Sequence, residues 1–210
     1  MNNKRKLSIF FSNVSKISNI YYKNFFSKHI QKKFHILDFG CGSGELLTYI
    51  NCKSKFGVEI NRYSQKKLKK NKIKFTQNLK SIKKKFDLIF ALSVIDHVKN
   101  PHEIIKQLTS KLKKGGKLII IIRQDSKNQK PKNSSYKEHL FSWSLLSFNN
   151  FLNIQKNVRV VDYGILKFTI IPFFNFFQKF LKINLIIFLS KIYYYFNLKD
   201  RRLFFVIKKL

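Results

Sequence analysis

Short apolar runs alternate with amphipathic stretches along most of the chain. Leu7, Phe10, Phe11, Val14, Ile17, Tyr21 and Phe25 recur at helical spacing, which predicts one or two amphipathic helices over residues 7–30. Phe34 to Leu37 is a brief run of the buried-strand type. Three glycines follow it, and then Glu45 to Ile50, where Leu46, Leu47 and Ile50 share a helical face. A second run, Phe56 to Ile60, precedes a Lys-rich helix and a short strand that ends near Thr76. Glu103 to Leu112 reads as a helix, and Lys117 to Ile122, with five apolar residues in a row, as a central strand. Residues 123–137 are polar, contain Pro131 and lack periodicity, so they form a loop. A helix is expected from Glu138 through Leu146, and strands at Val158 to Ile165 and Arg202 to Lys208. Strands alternating with helices predict a doubly wound α/β domain.

The turn after the first strand carries the chemistry. Asp38 sits at the strand's carboxyl end, and Gly40, Gly42 and Gly44 follow at alternate positions. Strand, glycine turn and helix is how an α/β fold builds a nucleotide site. A dinucleotide fingerprint G-x-G-x-x-G fails at Glu45, or at Leu47 if started from Gly42, and no phosphate-binding G-x-x-x-x-G-K-[ST] exists. An acid ahead of three glycines suits a ligand without a pyrophosphate but with a cationic amino-acid end. Glu59, at the end of the next apolar run, suits a ribose diol.

These residues resemble the class I S-adenosylmethionine-dependent methyltransferases. The likeness continues in order over residues 34–163, through Phe86 to Val98 as a fourth strand with its loop, Asn100-Pro-His102 opening a helix, and Lys113-Lys-Gly-Gly116 turning into a fifth strand. It implies a mostly parallel seven-stranded sheet with an antiparallel last strand. The expected domain plan is cap helices over 1–33, a cofactor-binding core over 34–163, an apolar helical insertion over 164–200 and a last strand over 201–210. It also implies S-adenosyl-L-methionine as cofactor, held by Asp38, Gly40, Cys41, Gly42, Gly44, Glu59, Asn78, Leu79 and Ala91. Asn78 stands where the family usually has an acid near the adenine, and its amide oxygen can still accept a hydrogen bond.

Methyl transfer to a hydroxyl needs a base, and His97, just past the fourth strand, is the first candidate. His139, in the expected lid-like helix, is the second. The block resembles quinone-pathway O-methyltransferases, some of which hold a metal beside this His. Only Asp96 and His97 match and Ser93 replaces the other acid, so no metal is expected.

Lys and Arg outnumber Asp and Glu by 43 to 10, a net charge of +33. Such a charge suits nucleic acid or an anionic membrane surface, although codons rich in A and T also favour Lys, Asn, Ile, Phe and Tyr together. No Asn/Asp-Pro-Pro-Tyr motif and no Cys follows the fourth strand, which argues against methylation of a nucleic-acid base. The residues favour a small or lipid-like acceptor, with an RNA methyltransferase and a non-catalytic cofactor-binding protein as alternatives. Cys41 and Cys52 lack metal-type spacing and suit a reducing, cytoplasmic setting. Lys4-Arg-Lys6 precedes an apolar stretch broken by Ser12, Asn13 and Lys16, so no signal peptide is expected. Residues 165–200 hold two apolar runs, Phe168 to Phe177 and Ile183 to Phe196, each below the ~20 residues that cross a bilayer. With Lys179, Lys182 and Lys191 among them, the insertion reads either as a peripheral membrane contact or cover for a greasy substrate, or as a surface buried on the domain or in a dimer.

Overall fold

A computed structural model describes residues 16–124, 140–169, 180–196 and 201–210. Residues 7–15 of the predicted first helix, most of the 123–137 loop, His139 and the Phe173–Lys179 part of the insertion lie outside those residues.

Seven strands form one sheet: β1 (His35–Phe39), β2 (Ser54–Val58), β3 (Lys74–Thr76), β4 (Phe86–Leu92), β5 (Leu112–Arg123), β6 (Val158–Leu166) and β7 (Arg202–Lys209), in the order β3-β2-β1-β4-β5-β7-β6. The first five are parallel, and β7 runs antiparallel to both β5 and β6. Helices cover the two faces: α1 (residues 16–25), α2 (Glu45–Tyr49), α3 (Arg62–Lys70), α4 (Pro101–Ser110), α5 (Leu145–Asn153) and α6 (Ile183–Phe196).

The central strands are apolar throughout because both of their faces are covered. Ile36, Leu88, Phe90, Ile119 and Ile121 pack with α1, α2, α3 and α6. Their neighbours Leu37, Ile89, Ala91, Leu118, Ile120 and Ile122 pack with α4 and α5. Each such side chain contributes about 1.5–3 kcal/mol on burial, so the run Leu118–Ile122 fixes the middle of the sheet.

Several boundaries differ from expectation: β2 spans Ser54–Val58 and not Phe56 to Ile60, and α4 spans Pro101–Ser110 and not Glu103 to Leu112. The fifth strand begins at Leu112 rather than Lys117, because residues 113–116 bulge: Phe86 aligns with Leu112 but Leu88 with Lys117. The helix expected from Glu138 begins at Leu145. Ser144 and Ser147 form a reciprocal capping box that sets its start. The residues just before it instead pair Trp143 with Gln124 and donate Leu140 N–H to the Asp96 carbonyl (2.8 Å).

Candidate functional site

Strand order reverses between β1 and β4, and a crevice opens there at the carboxyl ends, where α/β sheets bind ligands. Asp38 is fixed at that edge because β1 is flanked on both sides, Asp38 aligning with Gly57 of β2 and Phe90 of β4. The glycine turn hangs from the end of β2: Gly40 N–H and Cys41 N–H both donate to the Val58 carbonyl, at 2.8 and 3.2 Å.

The glycines serve different needs. Gly42 has φ +52° and nothing within 4 Å of where a Cβ would stand, so it leaves bare backbone facing open space. Gly44, at φ +74°, is the N-cap of α2, and a Cβ there would lie 2.5 Å from Leu68 and 2.6 Å from Ile73. Only a residue without a side chain permits both the left-handed backbone and that approach.

Glu59 braces the turn. One carboxylate oxygen accepts from Gly42 N–H (2.7 Å) and the other from Asn61 N–H (2.7 Å). The Gln65 amide donates to the Glu59 carbonyl (2.8 Å), and Gln77 donates to Gln65 in turn. Each carboxylate oxygen keeps further acceptor capacity for a ligand.

A cavity of about 180 Å³ opens at the turn, lined by Asn19 of α1, Asp38, Gly40, Cys41, Gly42, Ser43, Glu45 and Leu92 among its walls. Asp38 is only 4% exposed. Burial, and then the Glu59 charge, push its carboxyl up to about 8. Among the described residues no ion pair involves Asp38. Burial and the Asp38 and Glu59 carboxyls push the Cys41 thiol far up, so it stays protonated and is no nucleophile.

Asn78, Leu79 and Ala91 do not line this cavity. Asn78 caps the turn Leu79–Ser81, its amide oxygen accepting from Lys80 N–H (2.9 Å), which uses part of the acceptor capacity assigned to the adenine. Leu79 and Ala91 are buried in the core on the α4/α5 side.

Beyond β4, Ser93 adopts φ +53°, a left-handed conformation uncommon for a residue with a side chain, and its N–H donates to the Ile121 carbonyl (2.7 Å). The turn Ile95–His97 follows. The His97 ring is half-exposed, with Nε2 4.0 Å from Oδ1 of the buried Asp96. His97 does not line the turn cavity. Among the described residues, no three His, Cys, Asp or Glu side chains come together as metal ligands do.

Sequence reading missed Asn19, whose amide donates to Glu45 at 3.5 Å, and Gln65 behind Glu59. No sequence signal marked Asn19, which lies two places from Ile17 and from Tyr21 and so on a different face of the helix from those buried residues. Asp87 belongs elsewhere. It accepts from His35 N–H (2.7 Å) and pairs with Lys113 (2.7 Å), and although burial raises its carboxyl, those partners hold it below the usual range. It fastens the far end of the sheet.

Comparison with known proteins agrees with this geometry. A family model described as a methyltransferase domain matches residues 18–163, more than half of the chain. An uncharacterized protein of Methanocaldococcus jannaschii is 28% identical over 178 residues, covering 82% of this chain and 72% of the relative. A ubiquinone biosynthesis O-methyltransferase of Pelagibacter ubique is 33% identical over 104 residues, 42% of either chain. Among solved structures, a coclaurine N-methyltransferase bound to N-methylheliamine and SAH superposes with a TM-score of 0.64 at 16% identity, over 91% of this chain and 72% of that one. The fold, the glycine turn and the family match agree, and the chain belongs to the class I S-adenosylmethionine-dependent methyltransferases.

Proposed function

We propose that this chain moves a methyl group from S-adenosylmethionine to a hydroxyl oxygen of a small or lipid-like acceptor, in a cytoplasmic setting. The observation that carries the reading is Asp38, a buried carboxyl at the lip of a glycine turn and beside a second acid. Such a group gains most from an ammonium brought in by a ligand, because an opposite charge at close range restores the ionised form. The amino-acid end of the cofactor offers that ammonium. Gly42 leaves room for it, and Glu59 keeps acceptor capacity for a ribose diol. The residues fit the group.

Once bound, the cofactor supplies a methyl on a sulfonium, which an aligned nucleophile takes by in-line displacement. The chain's share is to hold, align and dry. Asp38, Glu59 and the turn hold. Asn78 and Leu79 border the adenine, and Ala91 supports the floor. Asn19 and its apolar neighbours on α1 keep water from the open side of the cavity. His97 takes the acceptor's hydroxyl proton, with Oδ1 of the buried Asp96 4.0 Å from its Nε2. His139 is the alternative base.

The test is calorimetric titration with S-adenosylmethionine and S-adenosylhomocysteine, followed by turnover of hydroxylated quinones and lipids. Expected are binding of both, weakened at least about tenfold in Glu59→Ala, and a kcat about 10²-fold or more lower in His97→Asn at unchanged cofactor affinity. Folded protein that binds neither ligand overturns the reading, and full activity in His97→Asn overturns the base.

A further inference from the structure

Methyl transfer makes no use of the outer face of α6. The helix is apolar nearly all round. Ile186, Ile187, Ser190 and Tyr194 are buried on the face turned to α1 and the sheet. Leu185, Phe188, Ile192, Tyr195 and Phe196 recur at helical spacing on the opposite face and stay open to solvent, Phe188 at 57% and Phe196 at 82%. Soluble surfaces rarely gather large apolar side chains into one stripe without a partner.

The stripe has charged borders. Asn184 and Lys191 flank it along one edge, and Lys182 begins the other at the helix start. Lys167 lies over the Tyr195 ring at 5.8 Å, adding a cation beside the stripe, and no carboxylate occurs within residues 163–196. Aromatic and aliphatic side chains bordered by lysines describe a helix lying in a lipid interface, apolar face among the acyl chains and ammonium groups at the headgroups. The helix has 14 residues, below the ~20 that cross a bilayer, so α6 itself docks and does not span.

Two occupants compete for such a stripe, a second copy of the chain and a membrane. Charge decides between them. Two chains at +33 each repel, whereas an anionic bilayer attracts the same charge. We infer that the outer face of α6, with Lys167, Lys182 and Lys191, docks this chain on the surface of a bilayer containing anionic lipid. The docked face also adjoins the site. Lys191 lies over the ring of Tyr21 on α1 at 5.9 Å, Tyr21 stacks on Phe168, and α1 carries Asn19 into the cofactor cavity. The inference stands apart from the methyl-transfer reading, since docking is measured without cofactor.

The experiment is co-sedimentation of the full chain with phosphatidylcholine vesicles, pure or containing about one-third phosphatidylglycerol, at several salt concentrations. Binding is expected to favour the anionic vesicles and to persist in part at high salt, where the apolar contact remains. F188E together with I192E should lower partition about tenfold or more, while melting temperature and S-adenosylhomocysteine affinity stay as in the parent. The milder F188S guards against misfolding and should give part of the loss. Equal sedimentation of parent and variants overturns the inference, as does binding that vanishes entirely with salt. A parent dimer that both variants split into monomers also overturns it, because the stripe is then a self-interface.

Discussion

At the scale of the residue, Asp38 sets a link between proton and ligand. In the free protein its carboxyl is pushed up to about 8, against 3.8 when unperturbed. An ammonium ligand needs the ionised form, so cofactor binding releases a proton at neutral pH. Affinity should rise from pH 6 to about 8, by at most about tenfold per unit, and then level off. Calorimetry in buffers of different ionisation enthalpy reads the proton directly, and an affinity that ignores pH refutes the link. The same residue makes a stability prediction. The folded state holds this proton more tightly than the unfolded state, so its contribution is full below 3.8 and is lost as pH rises to about 8. Asp38→Asn removes that loss. It should melt higher than the parent at pH 8, with the gap closing towards pH 4, and should bind no cofactor. Asp38 and Glu59 were legible as a pair because each follows an apolar run, and an acid there has few other uses. Glu59's second task was not legible: its bonds to Gly42 and Asn61 N–H are backbone geometry that spacing does not encode.

At the scale of the element, the glycine turn separates two kinds of constraint that the sequence writes with one letter. Gly42→Ala meets no atom and costs only its left-handed backbone, about 1 kcal/mol. Gly44→Ala adds a methyl 2.5 Å from Leu68 and 2.6 Å from Ile73, and should cost about 2–4 kcal/mol in chemical denaturation. Equal losses for the two variants would show that packing behind the turn is slack. Strands were read well because apolar runs buried on both faces leave little choice, as Leu118–Ile122 shows. The start of α5 was not, because its helical pattern extends backward past the residue that ends it. Ser144 competes for the backbone through its side chain, and that local bond outweighs the periodicity of Leu140, Phe141 and Trp143.

At the scale of the whole molecule, charge dominates. The described ion pairs are few and partly exposed, and each contributes little. A net +33 on 210 residues makes self-repulsion the larger effect. Salt should therefore stabilise: raising sodium chloride from 0.05 to 0.5 M is expected to lift the melting temperature by a few degrees or more, about 1 kcal/mol at this size. A fall on adding salt would mean that the ion pairs outweigh the repulsion. Charge was legible from composition alone, but which surface uses it was not, since lysines are scattered along the chain and are not gathered in one segment. The exposed face of α6 separates itself only once the fold decides which side of a largely apolar helix is left outside.

Strand β7 lies between β5 and β6, although both precede it in the chain. During synthesis β5 therefore emerges with a bare edge of consecutive apolar residues, and β6 emerges with no neighbour to pair with. Neither edge is satisfied until Arg202–Lys209 slides between them and forms both antiparallel ladders at once. Open edges of that kind invite pairing with other chains. A chain held before residue 202 is therefore a half-built sheet with two unpaired margins.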